Sequence, residues 1–245
     1  MTINPVHAAA TPTRSHPRRD HFTYQDLPKL LDTITEDERH SSASTSSLDV
    51  LWVLYDQVLS VWPDRVDDPD RDRFILSKGH GPASYYAVLA AKAFVDPELL
   101  AGFGSFESPL GNHPDRLLVP GVEMSSGSLG HGLPVAVGIA LGLRIQSRSR
   151  PRVVCLLGDG ELDEGSNHEA IVLASRFGLS SLTAIVIDNG SANLGWPGGV
   201  ATRFQVEGWD AETVSAHDHS DLARALSLRC ARVPNLVVAR SRAGA

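Results

Sequence analysis

Cysteine is scarce in this chain. There are two in 245 residues, Cys155 and Cys230, and neither belongs to a Cys-x-x-Cys pair. That usage argues against a disulfide framework or a dithiol motif, and reads as a cytoplasmic protein with buried, inert thiols. Basic blocks are also missing. Twenty-nine acids against 22 Lys and Arg leave a formal charge of −7, so nucleic acid is a poor partner. No apolar run reaches the length that a bilayer requires, so no membrane association is expected. The opening MTINPVHAAATPTRSHPRRD has no apolar stretch of the secretory type. Its Pro, Thr and Arg content predicts a flexible tail over residues 1–21, with one domain over 22–245. No internal repeat is found. Several familiar motifs are absent too. Val172 stands where a zinc-binding His-Glu-x-x-His starting at His168 needs its second histidine. There is no phosphate-binding Gly-x-x-x-x-Gly-Lys-[Ser/Thr], no Gly-x-Gly-x-x-Gly, and no Gly-x-Ser-x-Gly nucleophile elbow.

What is present is an alternation of apolar runs and helical periodicities. A short helix is expected within 22–40, and another over 46–60, capped by Ser46 or Ser47. A charged loop follows at 63–73. FILSKGHGPASYYAVLAAKAF reads as a strand, a Gly-His-Gly turn and an Ala-rich helix. Residues 101–128 are rich in Gly, Ser and Pro and read as irregular, and a loop that long points to function. A helix of small residues follows. Arg152–Leu157 and Leu182–Ile187 are apolar without polar alternation, as strands buried on both faces are. Between them, Ser166 and Glu169 fit a capping box, and Ala170, Leu173, Ala174 and Phe177 fall on one helix face that Gly178 ends. This is a parallel βαβ unit. The pattern returns more weakly as a strand near 212–214, a helix near 220–231 and a strand at 236–239. The class is therefore α/β, a three-layer α/β/α domain with a mainly parallel sheet.

The βαβ unit carries the chemistry. Asp159 follows its first strand and Asn189 its second, thirty residues on. Parallel strands end on the same edge of a sheet, where ligands of open α/β folds bind. A carboxylate, a carboxamide oxygen and a backbone carbonyl are hard donors suited to Mg²⁺ or Ca²⁺, and Mg²⁺ commonly completes its shell with phosphate oxygens. Gly160 would let the backbone approach a diphosphate closely. His131, His217 and His219 read as surface or loop histidines, and Glu107 and Glu123 as ordinary loop acids.

At these residues the sequence resembles the thiamine diphosphate enzymes, and specifically the pyrophosphate-binding half of transketolase. Gly158-Asp159-Gly160 with Asn189 is similar to the family's metal motif. DPDRDRFILSKGH (68–80), GNHPDR (111–116), GVEMSSGSLGHGLPVAVGIAL (121–141) and ERHSSASTSSLDVLWVLY (38–55) resemble four further family segments, in order. The resemblance implies that Asp159, Asn189 and the Ser191 carbonyl hold Mg²⁺. It implies that His80, Gly160, Glu161 and Asn189 line the thiamine diphosphate site, and that Gly127, Ser128 and Leu129 meet the aminopyrimidine. It places His40, His80, His113 and Glu164 among the catalytic residues, with His40 and His113 toward the sugar and Glu164 in a carboxylate network between two cofactor sites. Serines 41 and 42 stand where the family has glycines. The family's pyrimidine-binding domain has no counterpart in these residues. The resemblance therefore implies a split enzyme that moves a two-carbon ketol unit from a ketose to an aldehyde, with a separate pyrimidine-domain subunit, as a heterotetramer. The alternatives are another thiamine diphosphate reaction on a 2-oxo acid, or a non-catalytic subunit that keeps the fold.

Overall fold

The structure is a computed structural model that describes residues 22–34, 45–228 and 230–241. The expected tail over 1–21, and His40 with its neighbours, lie outside the described residues. Five strands form one sheet: β1 (Arg73–Leu76), β2 (Val153–Gly158), β3 (Leu182–Asp188), β4 (Asp210–Ser215) and β5 (Asn235–Arg240), in the order β1-β2-β3-β5-β4. Every pairing is parallel. All five carboxyl ends therefore meet one edge, as the βαβ reading requires.

Side chains leave a strand alternately to its two faces, and each face supports its own core. On one side Phe74, Leu76, Val154, Leu156, Ile185, Ile187, Val237 and Ala239 pack under α1 (Leu27–Asp32), α2 (Leu48–Val53), α3 (Pro82–Ala91) and α7 (His219–Ser227). On the other, Ile75, Val153, Cys155, Leu157, Ala184, Val186 and Val238 pack under α4 (Gly132–Ile145), α5 (Gly165–Arg176) and α6 (Gly199–Gln205). This is the three-layer α/β/α arrangement. The six residues of β2 are all buried, which explains why that stretch shows no polar alternation. β4 is an edge strand and mostly exposed. Among the described residues no helix is long and apolar enough to cross a membrane.

Local expectations change in four places. The helix after Ser47 is α-helical only to Val53 and runs on as a π turn over Leu54–Val58, and Ser47 makes no side-chain cap bond. The Ser166–Glu169 capping box does not form. Glu164 is the N-cap of α5, and Ser166 Oγ instead donates to Gly130 O at 2.7 Å. A tertiary partner has taken the hydroxyl. On the same helix Ala170 and Ala174 are buried, but Leu173 and Phe177 are exposed. The two bulky members of that face point past the core, and the Arg144 guanidinium lies over the Phe177 ring. Finally, α7 ends at Ser227, and α6 was not foreseen. Cys155 is fully buried, and burial pushes its thiol well up, whereas Cys230 is only half-buried.

Candidate active site at the carboxyl edge

The site is built from the segments directly after β1, β2 and β3. Asp159 leaves β2 and is 2% exposed. Its N–H donates to Ile187 O of β3 at 3.1 Å, so the ladder continues one residue beyond the strand and fixes the carboxylate. The side chain accepts from Gly160 N at 2.9 Å, from the Ser191 hydroxyl, and from Ala192 N at 3.3 Å. Asn189, the first residue past β3, accepts from Ser191 N at 3.2 Å, while its Nδ2 lies 3.4 Å from Ser46 Oγ. A Cβ on Gly160 would come within 3.2 Å of Ser191 Oγ and 3.3 Å of the Ser191 carbonyl oxygen. Asp159, Gly160, Asn189 and Ser191 thus form one cluster. Among the described residues no three His, Cys, Asp or Glu side chains gather as a metal set. The candidate donors are instead one carboxylate, one carboxamide and one carbonyl. All are oxygens, which suits a hard cation that takes the rest of its shell from phosphate and water. The tight approach at Gly160 leaves no room for a side chain between Asp159 and Ser191, as a backbone-lined anion cradle requires.

The turn after β1 forms the second wall. His80 is exposed on it. A Cβ on Gly79 would lie 3.1 Å from Leu129 Cδ2, which seats the turn against the 127–129 loop. Gly127 has φ +128, open to glycine, and a Cβ there would strike the His113 ring at 2.6 Å. The His113 ring therefore lies against Gly127. Ser128, half-exposed Leu129 and exposed Glu164 complete the rim, and the Glu164 side chain packs on Gly130. The structure thus brings the His80 turn, His113 and the 127–129 loop together as one cluster, and Asp159, Gly160, Asn189 and Ser191 together as another.

Glu161 is placed differently from its neighbours. It is 2% exposed and turns inward, where Ser77 Oγ donates to it at 2.6 Å and Gly158 N at 3.2 Å. Burial raises its pKa, and these donors and Lys78 oppose the rise. Ser77 Oγ also accepts from Gly132 N at 3.1 Å. Glu161 and Ser77 therefore lock the ends of β1 and β2 to the start of α4, and the Glu161 carboxylate faces the interior rather than the crevice.

Sequence reasoning missed Ser46, Ser47, Ser77 and Lys78. Lys78 is buried, and burial pushes its ammonium down to about 8 against the pull of Asp159 and Glu161. The signal was a lysine wedged between an apolar strand and a Gly-His-Gly turn, where a solvated charge is hard to place.

Comparison with known proteins identifies the family. Residues 30–244 match the family described as transketolase, thiamine diphosphate binding domain. A protein of Rhodococcoides fascians named ferredoxin fas2 is 59% identical over 206 residues, covering 84% of this chain and 68% of that protein. Iron–sulfur clusters are held mainly by four cysteine thiolates, and this chain has two cysteines. An apulose-4-phosphate transketolase subunit from Phocaeicola vulgatus is 36% identical over 191 residues, 76% of this chain and 67% of that protein. The transketolase of Pichia stipitis, solved in complex with sedoheptulose-7-phosphate, superposes with a TM-score of 0.70 at 26% identity. That match covers 87% of this chain but 36% of the transketolase, so this chain spans about a third of the larger enzyme.

Proposed function

The chain belongs to the transketolase family as a thiamine diphosphate-binding domain, and from that premise we propose that it is the pyrophosphate-binding subunit of a split, Mg²⁺-dependent ketol-transferring enzyme. The observation that carries this reading is the meeting of Asp159, Asn189 and Ser191 at consecutive strand ends, with Gly160 leaving the approach open. In this reading Asp159, the Asn189 carboxamide and the Ser191 carbonyl hold the metal, and Gly160 and His80 meet the diphosphate. Gly127, Ser128 and Leu129 meet the aminopyrimidine. His113, from its seat on Gly127, and His40 face the sugar. Thiamine diphosphate, when bound, supplies the nucleophilic carbon that makes and breaks the bond beside a ketose carbonyl.

The residues of this chain bind, orient and shield. Loop 189–192 must give up its hydrogen bonds to Asp159 for the carboxylate to face a cation. In this reading exposed His80 donates to the diphosphate, and exposed His113 to anionic or hydroxyl groups of a sugar phosphate. The second polypeptide is a pyrimidine-domain subunit. Activation of the cofactor needs a carboxylate against the pyrimidine ring, acting as a positioned acid–base group. Glu164 lies five residues from Asp159, on the rim at the start of α5, where a neighbouring subunit could reach it. We assign the pair to a heterotetramer in the cytoplasm, with residues 22–245 as the cofactor domain and 1–21 as a tail.

The test is turnover. The chain is assayed with Mg²⁺, thiamine diphosphate, a ketose phosphate and an aldehyde acceptor, with and without the pyrimidine-domain partner. Two-carbon transfer that requires both polypeptides is the expected result. Carbon dioxide release from a 2-oxo acid without sugar turnover would replace the proposed reaction, and full activity of the isolated chain would defeat the split arrangement.

A further inference from the structure

Lysine is seldom buried, yet Lys78 is only 6% exposed, with Asp159 and Glu161 as carboxylates that pull on its ammonium. Its N–H donates to Leu156 O at 3.0 Å, so its backbone is still anchored to β2 beyond the end of β1. Its stem runs along Gly158, where a Cβ would lie 3.5 Å from Lys78 Cγ. Its Nζ donates to the carbonyl oxygen of His80. The ammonium is thus rooted in the sheet and sits between the turn that carries His80 and the strand end that carries Asp159. The contrast with Arg240, at the end of β5, is direct. That side chain is half-exposed and lies 3.5 Å from Asp188. Water can screen Arg240, but it cannot do the same for a charge at Lys78.

The charge balance of the crevice gives this lysine a task. A diphosphate ester carries two to three negative charges, Mg²⁺ cancels two, and Asp159 adds one more. The surplus is negative, and buried uncompensated charge is costly. We infer that Lys78 is a diphosphate-binding residue whose ammonium leaves the His80 carbonyl for an oxygen of the terminal phosphate, making cofactor affinity depend on the second phosphate. This rests on reading the crevice as a thiamine diphosphate site. A charge-assisted hydrogen bond to phosphate is among the stronger polar contacts a protein makes.

The experiment is calorimetric titration of the full chain, with Mg²⁺, using thiamine diphosphate and thiamine monophosphate. Lys78→Gln is expected to weaken diphosphate binding by roughly ten- to a hundredfold and to narrow the diphosphate-to-monophosphate preference. Lys78→Arg, which keeps the charge, should fall between Lys78→Gln and the wild type. If circular dichroism shows Lys78→Gln to be poorly folded, Lys78→Met is read by the same ratio. An unchanged preference, whether both affinities hold or both fall equally, overturns the role of Lys78. Failure of the wild-type chain to bind thiamine diphosphate both alone and with the pyrimidine-domain partner overturns instead the reading of the crevice on which it rests.

Discussion

Asp72 and Asp159 are equally buried, at 3% and 2% exposed, and they sit at opposite edges of the same sheet. Asp72 precedes β1 at the amino edge. It accepts from Arg152 N at 2.7 Å, Arg152 Nε at 2.9 Å, Arg152 Nη2 at 2.8 Å and Ser60 N at 2.8 Å. Asp159 follows β2 at the carboxyl edge and accepts from its neighbour Gly160 and from Ser191 and Ala192 on an exposed loop. Burial does not separate the two residues, but the source of their hydrogen bonds does. A carboxylate clasped by a permanent guanidinium fork is closed to other ligands. One held by a hydroxyl and main-chain amides of a surface loop can exchange those donors for a cation.

The comparison breaks most visibly at Asp72. Asp72→Ala would leave the 13%-exposed Arg152 guanidinium without its partner. Removing one member of a buried pair costs about 3–5 kcal/mol, so the chain should lose that much stability in denaturant unfolding. Asp159→Ala should lose less, because its hydrogen-bond donors are loop groups that water can satisfy and the Lys78 ammonium keeps Glu161 as a counter-charge. Equal losses in the two variants would erase the distinction drawn between the two edges.

The next effect is on binding. Asp159→Ala should cost about 2–5 kcal/mol of Mg²⁺-dependent thiamine diphosphate affinity, the usual range for truncating a buried charged contact. Titration with cofactor and metal measures it. Unchanged affinity would remove Asp159 from the metal site. Within the same crevice, His80→Ala should weaken cofactor binding more than His131→Ala. His80 lies on the turn seated against the 127–129 loop, whereas His131 only opens α4. Dissociation constants of the two variants that agree within error would refute that placement.

The sequence made the carboxyl edge legible because its signals are local. An unbroken apolar run followed at once by Gly-Asp-Gly, or by Asn-Gly, marks a buried strand and its end. His80 was found in the same way, between two glycines. What stayed hidden depends on contacts far along the chain. Ser77 and Lys78 read as the tail of a strand, and only the pairing of β1 with β2 buries them beside Glu161. The resemblance alone implied Glu161 as a cofactor-site residue, and its side chain, in the 3₁₀ turn after Asp159, is buried against Ser77 and Gly158. The capping box at Ser166 failed because Gly130, 36 residues earlier, offers its carbonyl. Leu173 and Phe177 have helical spacing, but spacing does not report how wide a stripe the sheet covers.

A third aspartate falls between these two cases. Asp49, in the first turn of α2, accepts from the Tyr24 hydroxyl, from His219 Nε2 at 2.7 Å and from His217 Nδ1 at 2.9 Å. Its partners come from a 3₁₀ turn, the exposed turn after β4 and the start of α7, and none is a permanent cation. They lie up to 170 residues away, which is why His217 and His219 read only as surface histidines. Burial opposes ionisation of Asp49, but the hydrogen bonds from Tyr24, His219 and His217 prevail and hold it below its ordinary value of 3.8. The folded chain therefore keeps this carboxyl ionised at a pH where the unfolded chain has begun to protonate it. In that window the unfolded state binds more protons, so stability rises with pH. The Asp49 contribution is fully present above the ordinary aspartate range and is lost as pH falls through the lowered value. Asp49→Asn should cost about 1 kcal/mol at neutral pH, the modest worth of hydrogen bonds whose histidine partners are partly solvated. The difference between wild type and variant should begin to shrink below about pH 4 and close only as pH falls through the lowered value, beyond which both carry a neutral side chain. Unfolding free energies measured from pH 7 down to pH 3 decide the matter. A difference that stays constant over that span would mean that Asp49 acts through shape alone, and that ionisation plays no part in holding α2 to α7.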